Sequence, residues 1–165
     1  MASSYFLKLD GIDGQSVDKG HEKWIEVIGC SHGVLQNISI QRGTEVVGRG
    51  QFLPFTFTHA VDKATPKLQH FCMTGQRIAK AQFAYCQSIA GAQTPVYEVT
   101  LEDVKVAKAE VKAVETGDTG GPLAQQLVEV VELVAGKISW KVTPIKADNT
   151  KEGAIEASFD QVANA

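Results

Sequence analysis

Phe55-Thr56-Phe57-Thr58-His59-Ala60-Val61-Asp62-Lys63-Ala64-Thr65-Pro66-Lys67-Leu68 changes its period halfway along. In its first half Phe55 and Phe57 alternate with Thr56 and Thr58, and His59 faces the same way as Phe57, which is the two-residue repeat of a half-buried strand. The second half reads as the start of a helix. Thr65 suits an N-cap, and Pro66 suits the first helical position, where a missing N–H costs nothing. Leu68, Phe71 and Cys72 then mark an apolar face at helical spacing, and Gly75 closes the helix as its C-terminal glycine. This predicts one short helix of about 10 residues, an ordinary helix length.

On either side of this segment the repeat is that of strands. Tyr5, Leu7 and Leu9 alternate with Phe6, Lys8 and Asp10, and the turn Gly11-Ile12-Asp13-Gly14 follows. Trp24 to Ile28 is apolar on both faces except for Glu26, which predicts a strand at least partly covered on both sides. Phe83, Tyr85 and Ile89 form another run, and Tyr97, Val99 and Leu101 another. Beyond Leu101 the apolar parity flips to Val104 and Val106, which predicts a bulge or a bend in a long strand. Gln126 to Val134 fits both periods, and its four stiff valines decide for a strand. Lys137 to Thr143 predicts a further strand with Ile138, Trp140 and Val142 inward, and Ala154 to Phe159 a last one. Two stretches carry no core pattern and read as loops: the glycine-rich Gln41 to Gln51, and Val114 to Leu123 with its Thr116–Pro122 run. The fold class expected is mainly β, with one short helix.

The chain has 165 residues, which predicts one domain spanning 1–165. Hydrophobic residues make up 44% and charged residues 21%, a balance that supports a folded core and argues against disorder. A net charge of −3 with no basic stripe argues against a nucleic-acid partner. No apolar run approaches the ~20 residues of a membrane helix, and the first ten residues lack the basic and apolar regions of a secretory signal. Export, if it occurs, is expected by another route.

Little in the sequence carries chemistry. His21, His32, His59 and His70 form no metal-ligand pair, and each is expected as a surface or satisfied polar side chain without a local carboxylate partner. Cys30, Cys72 and Cys86 are an odd, widely spaced set, expected as reduced, small buried hydrophobes. Gly117-Asp118-Thr119-Gly120-Gly121 lacks the Gly-Lys-Ser/Thr ending of a phosphate loop. Glu102 and Asp103 are adjacent in a strand, so their carboxylates point to opposite faces. Asp148-Asn149-Thr150 reads as a turn, not a calcium loop. No catalytic residue, cofactor or metal is expected, and the chain reads as a non-enzyme.

Several local patterns occur in a fixed order: Phe6-Leu7-Lys8-Leu9-Asp10-Gly11-Ile12-Asp13-Gly14, Trp24 to Ile28, Ser31-His32-Gly33-Val34, the glycine-rich stretch, the strand-to-helix segment, Cys72-Met73-Thr74-Gly75, Gly136 to Trp140, and Gly153 to Phe159. This succession resembles the Hcp family, the haemolysin-coregulated proteins of type VI secretion systems, over nearly the whole chain. The chain departs mildly from the family at Glu45, Val46 and Val47 of the glycine-rich stretch.

The resemblance implies a small β-barrel of two packed antiparallel sheets with a helix on its side. It implies a homohexameric ring that stacks into the inner tube of a contractile injection apparatus. The tube would lie within a contractile sheath and below a VgrG-type spike protein, with effector proteins carried in the lumen. The subunit would assemble in the bacterial cytoplasm and leave through the apparatus. It also implies no cofactor and no membrane insertion, and no appended toxin domain is expected with a chain ending near Ala165. On this reading Ser31 is the lumen and cargo candidate. Gln41-Arg42-Gly43-Thr44-Glu45-Val46-Val47-Gly48-Arg49-Gly50 is the candidate for contact with a neighbouring subunit. The alternative is a monomeric ligand-binding β-barrel enclosing a small apolar molecule.

Overall fold

The computed structural model describes residues 3–116 and 124–165. In chain order the elements are β1 (Ser3–Leu9), β2 (Ile25–Val27), β3 (Gly29–Leu35), β4 (Ile38–Gln41), β5 (Thr44–Val47), β6 (Gln51–Ala60), α1 (Thr65–Thr74), β7 (Ile78–Ile89), β8 (Ala92–Thr116), β9 (Ala124–Val142) and β10 (Ile155–Asp160). The expected class, mainly β with one short helix, holds. The principal sheet has eight strands in the order β2-β1-β7-β8-β9-β6-β3, with β10 also paired to β9, and every pairing is antiparallel.

The sheet curls until its ends meet. β2 pairs with β1 at one end and β3 pairs with β6 at the other, yet β2 and β3 are separated only by Ile28. The Ile28 N–H donates to the Thr58 carbonyl at 2.8 Å, so the chain itself bridges the two ends. The two facing halves of this wall form the packed layers of a small barrel. Leu7, Ile25, Phe55, Phe57, Val99 and Leu133 fill it, and Leu68 of α1 is buried in the same cluster. A second sheet is the two-stranded β4–β5 hairpin.

Trp24 to Ile28 contains the three-residue β2, buried on one face and covered on the other only at Trp24. Ile25 and Val27 are buried, Trp24 is half-buried, and Ile28 is exposed, because the chain leaves β1 there to join β6. Trp24 instead packs outside the barrel, over Phe6, Ala84 and Cys86. Gly14 makes this crossing tight: a Cβ there would stand 2.4 Å from the Trp24 carbonyl oxygen, a distance no side chain tolerates.

The parity flip after Leu101 is a bend. Asp103 takes a left-handed backbone (φ 59°) opposite Gly136, where a Cβ would meet the Asp103 carboxylate at 3.0 Å. Both strands turn together, so the β8–β9 register runs unbroken from Glu102↔Lys137 to Val104↔Ala135; the register shift lies farther on, between Val106 and Lys108. The two runs predicted at Gln126–Val134 and Lys137–Thr143 are one strand, β9, continuous through that bend. Val142 is exposed, contrary to the inward expectation; it closes β9 opposite the 70% exposed Ile155 of β10.

The helix is where the sequence places it, but its cap differs. Thr65 is the first helical residue and Ala64 occupies the cap position without a side-chain bond. Asp62 performs the turn instead: its carboxylate accepts from the Ala64 N–H at 2.8 Å, and its own N–H donates to Thr65 Oγ1 at 3.3 Å. Gly75 closes the helix in the left-handed conformation expected of it (φ 67°).

Gln41 to Gln51 is largely not a loop. Arg42 and Gly43, both at positive φ, make the tight turn of a hairpin whose ladder runs from Ile38↔Val47 to Gln41↔Thr44. Val114 and Glu115 likewise continue β8, paired with Gln126 and Gln125. Residues 117–123 of that predicted loop lie outside the described residues.

Candidate functional site

Among the described residues no group of three or more His, Cys, Asp or Glu side chains is placed to hold a metal ion. Glu102 pairs with Lys137 at 3.5 Å and Asp103 with Arg77 at 2.7 Å; contrary to the expectation of opposite faces, both carboxylates are solvent-accessible, because the bend flips the parity between the buried Leu101 and Val104. The features that present themselves are surfaces.

Ser31 lies on β3 opposite Thr56, exposed on the outside of the wall, immediately before a register shift. The same row continues through Glu132 of β9 to Lys108 of β8, giving Ser31 a polar, solvated setting. Its neighbour His32 turns inward between Phe55 and Tyr97, with ring centroids at 5.4 and 5.7 Å and Nε2 at 3.1 Å from the Tyr97 hydroxyl. Burial holds the His32 imidazole below its ordinary pKa and so favours the neutral form.

The candidate contact residues divide between two places. Gln41 to Glu45 and Val47 belong to the projecting hairpin, where every described side chain is exposed; the backbone of Val46 pairs with Ser39. Ile38, Ile40 and Val47 are exposed by 57, 73 and 56%, a large apolar area on an arm without a covering layer. Gly48, Arg49 and Gly50 sit instead at the base of the arm. The Gly48 N–H donates to Asn37 O at 2.8 Å, and Arg49 Nη2 donates to Gln161 O at 2.6 Å, fastening the arm to the C-terminal turn. This base borders a groove of about 560 Å³ whose apolar lining includes Val34, Leu35, Phe52, Trp140 and Phe159. Strand β10 forms the far side of that region, with Ile155 70% exposed. The structure does not bring Ser31 into the groove lining.

Two buried polar clusters escaped the reading of the sequence. His21 is nearly fully buried, with Nδ1 2.9 Å from Asp18 Oδ2 and Nε2 3.8 Å from Cys86 Sγ. The order Cys–His–Asp suggests an activated thiol, but burial, aided by Asp18 and Glu98, pushes the Cys86 pKa up to about 11 and keeps it a thiol. Phe6 also stacks flat on His21, with centroids 4.3 Å apart. In the second cluster His59 and Glu129, both fully buried, approach to 2.7 Å (Nε2 to Oε1). His21 and His59 therefore do have carboxylate partners, contrary to expectation. Asp18-x-x-His21 and His59-x-x-Asp62 were visible as spacings of three, while Glu129 was hidden among valines on the inward parity of its strand. The cysteines fit the expected role unevenly: Cys86 is buried, Cys72 half-buried, and Cys30 exposed on β3.

Comparison with known proteins agrees with this architecture. The family described as "Type VI secretion system effector, Hcp" matches residues 6–142. Protein hcp1 of Pseudomonas aeruginosa is 30% identical over 154 residues, covering 93% of this chain and 91% of the relative. The Major exported protein of the same organism is 30% identical over 128 residues, covering 77% of this chain and 73% of the relative. The crystal structure of Hcp1 from Salmonella typhimurium superposes with a TM-score of 0.75 at 29% identity, covering 99% of this chain and 98% of that one.

Proposed function

This chain belongs to the Hcp family of type VI secretion effectors, and we propose that it is a structural subunit of the inner tube of that apparatus, closing into hexameric rings that stack and carry effector proteins in the lumen. In this reading it performs no catalysis. Its partners are further copies of itself, a VgrG-type spike, the contractile sheath and the cargo. It assembles in the bacterial cytoplasm and leaves through the apparatus, a route supported by its likeness to an exported relative.

The observation that carries the reading is the β4–β5 arm. A chain whose barrel core is already filled projects a hairpin bearing three large exposed apolar side chains, beside the open edge strand β10. Unpaired strand edges and uncovered apolar side chains are the means by which identical chains join head to tail, and such joints close into rings or extend into filaments. The filled barrel interior speaks against the alternative of a hollow ligand-binding barrel.

Light scattering on a gel-filtration column, with negative-stain images of the peak, tests the proposal. A closed ring of about 107 kDa, six times the 17.8 kDa chain, is the expected result; a monomer at micromolar concentration would overturn it. Ser31 is assigned to the lumen and to cargo retention, and Ser31→Gln is expected to reduce retention of a co-expressed effector without altering the ring. Deleting Thr44 to Gly48 is expected to impair ring formation or stacking.

A further inference from the structure

We propose that His59, Glu129 and Asp62 form a buried ionic latch that fixes α1 to the barrel wall, closed while the His59 imidazole is protonated and released when it is neutral. The proposal is independent of the assembly described above. His59 on β6 and Glu129 on β9 are direct cross-strand partners, and neither side chain is exposed to solvent. A carboxylate removed from water is costly unless a charge and hydrogen bonds compensate it. Among the described residues the only cationic side chain within ion-pair distance of Glu129 is His59.

Both carboxylates that hold His59 also hold the helix. Asp62 stands 3.6 Å from His59 Nδ1, too far for a hydrogen bond but within ion-pair range, and that nitrogen has no closer polar partner. The same Asp62 carboxylate accepts from the Ala64 N–H at the start of α1. Glu129 receives Gln69 of α1 on its second oxygen at 3.4 Å. One imidazolium therefore balances the two anions through which α1 is tied to β6 and β9.

The charged groups on the surrounding elements are engaged elsewhere or exposed to solvent. On α1, Lys67 donates to Gly11 O, and His70 is exposed. On β8, Val111 stands opposite Glu129, and its neighbours Lys108, Glu110 and Lys112 pair with one another. Lys63, in the turn before α1, is exposed. The two carboxylates outweigh burial and raise the His59 pKa from its ordinary 6.5 to about 9. The folded state thus keeps a proton that the released state gives up. The latch is at full strength below pH 6.5 and weakens as pH rises towards 9.

Hydrogen exchange, corrected for the intrinsic pH dependence of amide exchange, tests this on the full chain. Protection of the α1 amides is expected to fall about tenfold per pH unit between pH 6.5 and 9. At the upper end α1 should exchange ahead of β1 and β7, which marks a local opening. Protection that stays flat over this range would overturn the proposal. So would α1 amides that exchange only together with β1 and β7 at every pH. Glu129→Gln, which removes the buried charge but keeps the shape, is expected to abolish most of the slope; a variant retaining the full slope would equally overturn it. Should Glu129→Gln fail to fold, Asp62→Asn, at the partly exposed end of the cluster, is expected to reduce the slope, and an unchanged slope there counts against the latch.

Discussion

Ile38-Ser39-Ile40-Gln41 and Phe55-Thr56-Phe57-Thr58 alternate apolar and polar residues in the same way, and they end in opposite environments. In β6 the alternation meets a core: Phe55 and Phe57 are buried against the far half of the barrel. In β4 the same alternation meets nothing, and Ile38 and Ile40 project from the arm. Period two specifies a strand and a face, but it does not specify what lies against that face. The difference predicts that substitutions in the two strands separate stability from assembly.

The largest effect belongs to the core strand. Phe57→Ala is expected to destabilise the subunit by about 3–5 kcal/mol, because the emptied volume is enclosed by packed neighbours that cannot collapse into it. Urea unfolding of the isolated subunit measures this. A loss under 1 kcal/mol would mean that β6 is not part of the closed barrel wall.

The parts of the fold legible in the sequence were those governed by local physics. The strand-to-helix change at Asp62, Gly75 as a helix end, and the parity flip after Leu101 are all short-range signals, and all three have counterparts in the structure. What remained hidden depends on non-local contacts. That β2 and β3 close the barrel through Ile28 follows from pairings at opposite ends of the sheet. That Ala64 rather than Thr65 caps the helix follows from Asp62 already folding the preceding turn. The arm was masked by its glycines, although Arg42-Gly43 between two short apolar alternations is a hairpin pattern. Ser31 is exposed on β3, and nothing in its residue type separates a lumen position, proposed for it, from any other exposed one. Glu129 was illegible because its meaning depends on a histidine 70 positions away.

That hidden pair supplies the second prediction. His59 has a raised pKa in the folded state, so its contribution is complete below its ordinary pKa of 6.5 and is lost as pH rises through about 9. Between pH 6.5 and 9, stability in urea should fall by about 3 kcal/mol. Cys86, also shifted upward, begins to contribute a loss only above its ordinary value of 9.0, so the two effects separate along the pH axis. Stability that is constant up to pH 9 would remove His59 from the set of charged core residues.

A smaller effect is expected at the start of α1. Asp62→Ala removes an acceptor for the Ala64 N–H and one counter-ion of His59, and should cost about 1–2 kcal/mol. Thr65→Ala should cost less, since Thr65 Oγ1 accepts one 3.3 Å bond and caps nothing. The reverse ranking in thermal unfolding would restore Thr65 as the cap.

The smallest change in stability is expected where the change in assembly is greatest. Ile40 is 73% exposed on the arm, so Ile40→Ser leaves no cavity and strands no buried partner. Its effect on the urea midpoint of the isolated subunit should stay within about 0.5 kcal/mol. If the arm is an interface, however, the same substitution removes apolar area from the joint between copies, and every joint in a ring or stack carries the lesion at once. Repetition multiplies the penalty, so a change too small to register in the monomer should still shift the scattering mass towards smaller species. An Ile40→Ser protein with unaltered stability and unaltered mass would show that the exposed apolar face of the arm is not a joint in either the ring or the stack.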